Sequence, residues 1–325
     1  MHAILGEGSY GEVRKENGYA IKSFKKLSHL IQEYVAGVYL RDKPNIIQIH
    51  SIDIKKLEMR MTLYQYTLKD YIDARNKDEK LSLSLLYNIC TGLTVLHKSH
   101  LVHGDLKPNN ILIKSHIAYI GDLGFVSVVP YSKVERTAKN YRDINVRHGM
   151  SHDIFSLGII MLELFGNIKL KKQYPYANLL EMSKNNVKNN AILSVLTSIF
   201  CEYEQRYNII QIVEHIYHVN IPVKIDEIKI NHNLSQYYHL KTELRVSCEQ
   251  YNVKRGKRGY KALCAYLDER NIFIPDYSEY IYSLIYILSA VFNTDFNPNK
   301  CTNGHIKIIN ALINDIDFVT ILMLP

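Results

Sequence analysis

Along the first sixty-odd residues the apolar positions fall in short runs that suit strands. "HAILGEG", "GEVRKE", "GYAIKSF", "IIQIHSID" and "LEMRMTLYQY" are each bounded by glycine, charge or turn residues. One stretch among them, "SHLIQEYVAGVYLRD", repeats its apolar positions at helical spacing. From "TLKDYI" onward the helical period dominates. "LSLLYNICTGLTVLHKSH" reads as a helix, and after a loop-rich stretch so do "SHDIFSLGIIMLELFG", "ANLLEMSKNNVKNNAILSVLTSIF" and "YNIIQIVEHIYHV". A small sheet with one helix is therefore followed by a helical unit. Near "VNIPVKID" the pattern resets at Pro222, and a last segment carries helices around "YKALCAYLDER", "DYSEYIYSLIYILSAVF" and "HIKIINALINDI".

At 325 residues the chain is long for one core and predicts two or three domains. With 47% hydrophobic and 22% charged residues it is an ordinary globular sequence, not an extended disordered one. The longest apolar run, "YIYSLIYILSAVF", is shorter than the ~20 residues that span a bilayer, and no basic-plus-apolar leader follows Met1, so no membrane partner is expected. Five scattered cysteines without CxxC spacing suggest neither a disulfide framework nor a zinc site, and point to a reducing, cytoplasmic or nuclear setting. The net charge of +8 is spread along the chain, with "KRGKRG" (Lys254 to Gly259) the dense cluster. That cluster reads as a solvated loop, and a nucleic-acid partner is not expected.

The chemistry concentrates in the first two units. "GEGSYGEV" sets Gly6, Gly8 and Gly11 in a GxGxxGxV pattern, and the strand-turn-strand reading of "EVRKENGYAIKSF" after it argues against a dinucleotide fold, which needs a helix there. In a hairpin the glycine backbone can close over phosphates, with Val13 over an adenine ring. Lys22, in "YAIK", can reach phosphate oxygens if a carboxylate anchors its flexible stem, and Glu33 in the predicted helix is the candidate. In "HGDLKPNN", Asp105 can accept the proton of an attacking hydroxyl, Lys107 can neutralise phosphoryl charge, and Asn110 can hold a metal ion, while His103 packs the loop. "IGDLG" places Asp122 at a strand end, a position for binding Mg²⁺.

In that order these motifs resemble the eukaryotic protein kinase family over about residues 1–217, and the resemblance adds Ala20 to the nucleotide-binding set. "SHDIFSLG" is similar to the family's D-x-W-S-x-G helix start, which implies that Asp153 braces the catalytic loop, and Arg206 resembles the arginine of the last subdomain. Lys107 in "DLKPNN" resembles the serine/threonine branch. The resemblance implies an α+β, bilobal fold with a β-rich N-lobe over 1–67 and a helical C-lobe over 68–217. It implies ATP with Mg²⁺, or Mn²⁺ as an alternative, and a protein substrate.

Residues 220–325 form an expected all-α domain that resembles, more weakly, a cyclin box; the alternative is a family-specific helical extension. This domain is expected to dock in cis on the kinase lobes. Four departures stand out. Gly104 replaces the arginine of H-R-D, and Leu123 the phenylalanine of D-F-G. "YRDIN" stands where "YRAPE" belongs, so Arg206 is expected to lose its glutamate partner. The short interval from Lys22 to Glu33 suggests a trimmed N-lobe. These departures keep a pseudokinase or scaffold as the rival reading, against which Lys22, Asp105 and Asp122 are all retained.

Overall fold

The computed structural model of the chain describes residues 3–8, 11–74, 77–99, 101–128, 138–143, 145 and 149–218. They fall into two compact units. The first holds the described residues up to Arg41 together with Gln48–Leu63, and the second holds Asp42–Ile47 and the described residues from Tyr64 onward.

In the first unit β1 (Ala3–Gly8), β2 (Gly11–Glu16) and β3 (Tyr19–Ser23) run into helix α1 (Leu27–Tyr39), followed by β4 (Ile49–Asp53) and β5 (Glu58–Thr62). The five strands form one antiparallel sheet in the order β1-β2-β3-β5-β4. The turn between β2 and β3 is made by Asn17 and Gly18, both at positive φ, the conformation an Asn-Gly hairpin needs. Leu30, Ile31, Val35 and Ala36 on α1, and Leu40 at its C-terminal cap, lie at helical spacing and are fully or almost fully buried. Gly37 brings α1 close to β4, since a Cβ there would lie 2.3 Å from the Ile49 side chain. The unit is a five-stranded sheet with its helix.

In the second unit β6 (Tyr66–Thr67) leads into α2 (Leu68–Asp73) and the long α3 (Glu79–Lys98). Three short pieces follow the long helix: β7 (Leu101–Val102), β8 (Ile111–Lys114) and β9 (Ile117–Ile120). After β10 (Ser127–Val128) come the helices α4 (Met150–Gly166), α5 (Tyr176–Asn186), α6 (Asn190–Ile199) and α7 (Ile209–Tyr217). The most apolar of these, α4, is buried along nearly its whole length, as expected of a helix that is apolar all round. Gly158 admits α6 closely, for a Cβ there would meet Ile199 at 2.6 Å.

Two expectations are corrected. "ANLLEMSKNNVKNNAILSVLTSIF" is two helices, because Val187 is extended at the end of α5 and the Asn189 side chain accepts a hydrogen bond from Ile192 N, starting α6. Ile46 and Ile47, read as the start of a strand, lie before β4 and join the second unit, where Ile47 N donates to Ile120 O at 3.0 Å. No helix among the described residues is long and apolar enough to cross a membrane. The expected cyclin-like segment over 220–325 lies outside the described residues.

Candidate active site

The first unit holds the lysine and its anchor. Lys22 Nζ donates to both carboxylate oxygens of Glu33, at 2.9 and 2.7 Å. Lys22 lies one residue before the end of β3, a strand bonded on both sides, and Glu33 sits on a helix whose buried face is set against β4, so both partners stand on rigid elements. Val13 lies directly opposite Lys22 in the β2–β3 ladder, and Ala20 lies two residues before Lys22. Strand periodicity therefore puts Val13, Ala20 and Lys22 on one face. Gly6 pairs with Val13 across the β1–β2 ladder and has open space where a Cβ would point, whereas Gly11 is required by packing, since a Cβ would lie 1.6 Å from Ser23 O. Gly8 ends β1 opposite Gly11.

The second unit holds the loop between β7 and β8. Asp105 is almost completely buried, and its Oδ2 accepts from Lys107 Nζ at 2.5 Å and from Asn110 Nδ2 at 3.1 Å. Asn110 Nδ2 also donates to Asp105 O at 2.8 Å, so the amide's donor end is turned to the loop and its oxygen is left as the acceptor end. Gly121 N donates to Asn110 O at 2.7 Å, which ties the end of β9, and hence Asp122, to Asn110. Asp122 itself is held at φ 54°, in the left-handed region that non-glycine residues seldom occupy. Asn110 and Asp122 bring oxygen donors of the kind Mg²⁺ prefers. Among the described residues no cluster of three or more histidine, cysteine or acidic side chains could hold a metal alone. A cation that completes its shell with phosphate oxygens and water fits such a two-residue set.

Beneath the loop lies a buried frame. Asp153, at the start of α4, accepts from His103 N at 2.7 Å, Gly104 N at 3.0 Å and His97 Nε2 at 3.1 Å. Burial would push its carboxyl up, but the His97 hydrogen bond and the neighbouring histidines hold it below the usual carboxylate value. The His103 ring bridges the loop: Nδ1 accepts from Asp105 N at 3.2 Å and Nε2 donates to Gly121 O at 2.9 Å, which one neutral tautomer satisfies. Gly104 sits at φ 79°, and a Cβ there would lie 3.0 Å from Phe125 O. Leu123 is fully buried, so the apolar replacement keeps the packing role.

Among the described residues Arg206 has no glutamate partner, as expected, but it keeps a carboxylate one. Its guanidinium pairs with Asp143 at 2.8 Å, both side chains being almost wholly buried. Its other donors reach Ile199 O, Ser151 O, Ser151 Oγ, Cys201 O and Tyr176 OH. "YRDIN" thus supplies its own carboxylate two residues before the place where the glutamate was sought. Tyr141 of the same segment donates to Glu163 at 2.7 Å, and Tyr141 O accepts from Ser156 Oγ at 2.8 Å. Three contributors escaped the sequence reading: Asp143, His97 and the Ala138 backbone, whose N donates to Asp105 Oδ1 at 3.3 Å. The acidic residue inside an otherwise aligned motif was the signal for Asp143; a backbone amide leaves none.

A sheet-borne lysine–glutamate pair and a loop aspartate braced from a buried helix are shared by a large class of phosphotransferases. The family model of the protein kinase domain matches residues 1–252, and the chain belongs to that family. It is 29% identical over 191 residues to a membrane-associated tyrosine- and threonine-specific cdc2-inhibitory kinase of Caenorhabditis elegans, covering 51% of this chain and 41% of that one. It is 29% identical over 198 residues to the interferon-induced, double-stranded RNA-activated protein kinase of Mus musculus, covering 49% of this chain and 38% of the other. To a probable cell division protein kinase of Encephalitozoon cuniculi it is 31% identical over 199 residues, covering 54% and 73%. The chain thus spans well under two thirds of the length of the first two relatives. These comparisons lend the cyclin-box resemblance no support.

Proposed function

We propose that the chain is an ATP-dependent kinase acting on serine and threonine hydroxyls of protein substrates. The observation that carries this reading is Asp105, buried yet held by Lys107, Asn110 and the Ala138 amide, so that its carboxylate is fixed for a substrate hydroxyl. Asp105 accepts that hydroxyl's proton as the oxygen attacks, and Lys107, already bonded to the same carboxylate, offsets negative charge beside it. When bound, Mg²⁺-ATP supplies the phosphoryl group, and Mn²⁺ is the alternative ion. Lys22 orients phosphate oxygens while Glu33 restrains its stem; Asn110 and Asp122 are the assigned ion ligands. Gly6, Gly8 and Gly11 line the phosphate side, and Val13 and Ala20 the base side. The serine/threonine assignment rests on Lys107 in "DLKPNN".

Residues 220–325 are proposed to act in cis as a regulatory segment, because the apolar run "LIYILSAVF" needs a partner surface to bury. Truncation after His218 is expected to lower activity, with part restored by the separate fragment. The scattered cysteines without CxxC spacing are the ground for proposing an intracellular, reducing setting. Purified protein with Mg²⁺-ATP and serine, threonine and tyrosine substrates tests the main reading. Asp105→Asn should lose roughly 10²–10⁴-fold in turnover. Transfer to tyrosine alone, or near-normal turnover in Asp105→Asn, would overturn it.

A further inference from the structure

The Ala138 amide meets Asp105 at the start of a turn that a buried carboxylate holds. Lys107 and Asn110 both donate to Asp105 Oδ2, and two bonds on one oxygen leave the carboxylate plane free to turn. Among the described residues the donor to the other oxygen, Oδ1, is Ala138 N, at 3.3 Å. Where that amide sits depends on what holds the residues after it. Ala138 precedes the 3₁₀ turn Lys139–Tyr141, and its carbonyl accepts from Tyr141 N at 3.0 Å, so the amide moves with Tyr141.

Tyr141 is buried and fixed twice: its carbonyl accepts from Ser156 Oγ at 2.8 Å, and its hydroxyl donates to Glu163 Oε2 at 2.7 Å. The other oxygen of Glu163 accepts from Leu170 N at 3.2 Å, and Leu170 O accepts from Asn140 Nδ2 at 3.0 Å. Glu163, Tyr141, Asn140 and Leu170 thus close a ring of hydrogen bonds around the turn. Glu163 stands on α4, the same helix that carries Asp153 under the Asp105 loop, so one rigid element holds both the loop and the turn that meets it. Both oxygens of Glu163 are spent within the chain, and burial pushes its carboxyl pKa up, which suits an anchor and not a receptor for a substrate cation.

We propose that Glu163 and Tyr141 are positioning residues for the transfer: their bond fixes the turn that presents Ala138 N to Asp105 Oδ1, and so fixes the plane in which that carboxylate meets the substrate hydroxyl. The inference rests on the phosphotransfer reading of Asp105 and extends it to two residues that touch no reacting atom. A carboxylate that turns loses the alignment proton transfer needs, while Lys22 and Glu33 keep theirs. The effect therefore falls on kcat and spares KM.

The test compares Tyr141→Phe, Glu163→Gln and Glu163→Ala with the parent, using Mg²⁺-ATP and serine peptides with and without neighbouring lysine or arginine. Tyr141→Phe should lower kcat about tenfold, the size of one hydrogen bond to a charged group, with KM for ATP and for peptide within about twofold of the parent's. Glu163→Ala should lose at least as much. Glu163→Gln, whose amide can still bond both the Tyr141 hydroxyl and Leu170 N, should keep most of kcat. In an Asp105→Asn background Tyr141→Phe should cost less than about twofold more, since no carboxylate is left to orient, whereas a general loosening of the fold would cost the same factor in both backgrounds. If Glu163→Ala does not fold, Tyr141→Phe and Glu163→Gln decide. An unchanged kcat in Tyr141→Phe, or an equal loss in the Asp105→Asn background, would overturn the proposal. So would a Glu163→Gln variant that keeps kcat and raises KM for the basic peptides alone, which would make Glu163 a substrate contact. A parent that transfers phosphate to no substrate would overturn the phosphotransfer reading and the proposal with it, an outcome distinct from an active parent whose variants match it.

Discussion

Two cation–carboxylate pairs, one in each unit, look alike in distance and differ in everything around them. Lys22–Glu33 closes at 2.7 Å and Arg206–Asp143 at 2.8 Å. Lys22 carries a compact ammonium on a flexible stem and keeps 12% of its side chain exposed, against 1% for Arg206. Arg206 spends its planar fork on four backbone or side-chain neighbours besides Asp143 and lies near the rings of Phe155 and Tyr176. A guanidinium so committed is a clamp between chain segments. An ammonium anchored by a carboxylate is a tool aimed by its anchor.

If that contrast is right, the two pairs fail differently. Asp143→Ala should cost about 3–5 kcal/mol of stability, because it strands a buried guanidinium, and chemical denaturation would read the loss. An unchanged midpoint would show that Tyr176 and the carbonyls suffice for Arg206. Lys22→Met strands Glu33, whose side chain is only 3% exposed, and so should lower the thermal midpoint as well, while reducing phosphoryl transfer about 10²–10³-fold, the range for removing one preorganised donor. Loss of folding instead of turnover would erase the distinction between clamp and tool.

A smaller effect comes from His152, next to the frame aspartate. Both of its ring nitrogens are buried without a hydrogen-bond partner, and burial holds its pKa down at about 4 despite the nearby carboxylates of Asp153 and Asp143. The unfolded chain binds a proton there near pH 6.5 and the folded one only near pH 4. Stability therefore falls as pH drops from about 6.5 to about 4, by at most ~3.5 kcal/mol at about 1.4 kcal/mol per unit. Denaturation of His152→Leu across that window should show a flatter profile than the parent. Smallest is Gly104→Ala, which puts a Cβ at φ 79° beside Phe125 O and should lower stability by about 1–2 kcal/mol. A neutral result would show that the loop relaxes there.

Much of this was legible in one dimension because it depends on local periodicity and turn chemistry. Alternation gave away β2, β3 and β5, and helical spacing gave away α1, α3, α4 and α7. The glycine string, the "YAIK" strand, "HGDLKPNN" and "IGDLG" stood at spacings that resemble one family, and residues 1–252 match that family's model. Where local signals were weak the reading slipped. One long helix became α5 and α6 around a single asparagine cap, and Ile46–Ile47 left their strand for a bridge to Ile120.

By itself the sequence determined the elements, their order and the identity of the groups available for phosphoryl transfer, since each follows from residues close together in the chain. Only the tertiary structure decided which groups meet. The short link to α1 still delivers Glu33 to Lys22 because Gly37 lets the helix settle onto β4, a contact twelve residues apart in the chain that no local pattern predicts. Arg206 finds Asp143, 63 residues away, because α4 and α6 pack through Gly158 and carry the "YRDIN" segment with them. Pairing of distant charges depends on the burial that surrounds them, and burial is a property of the packed chain, not of any stretch of it.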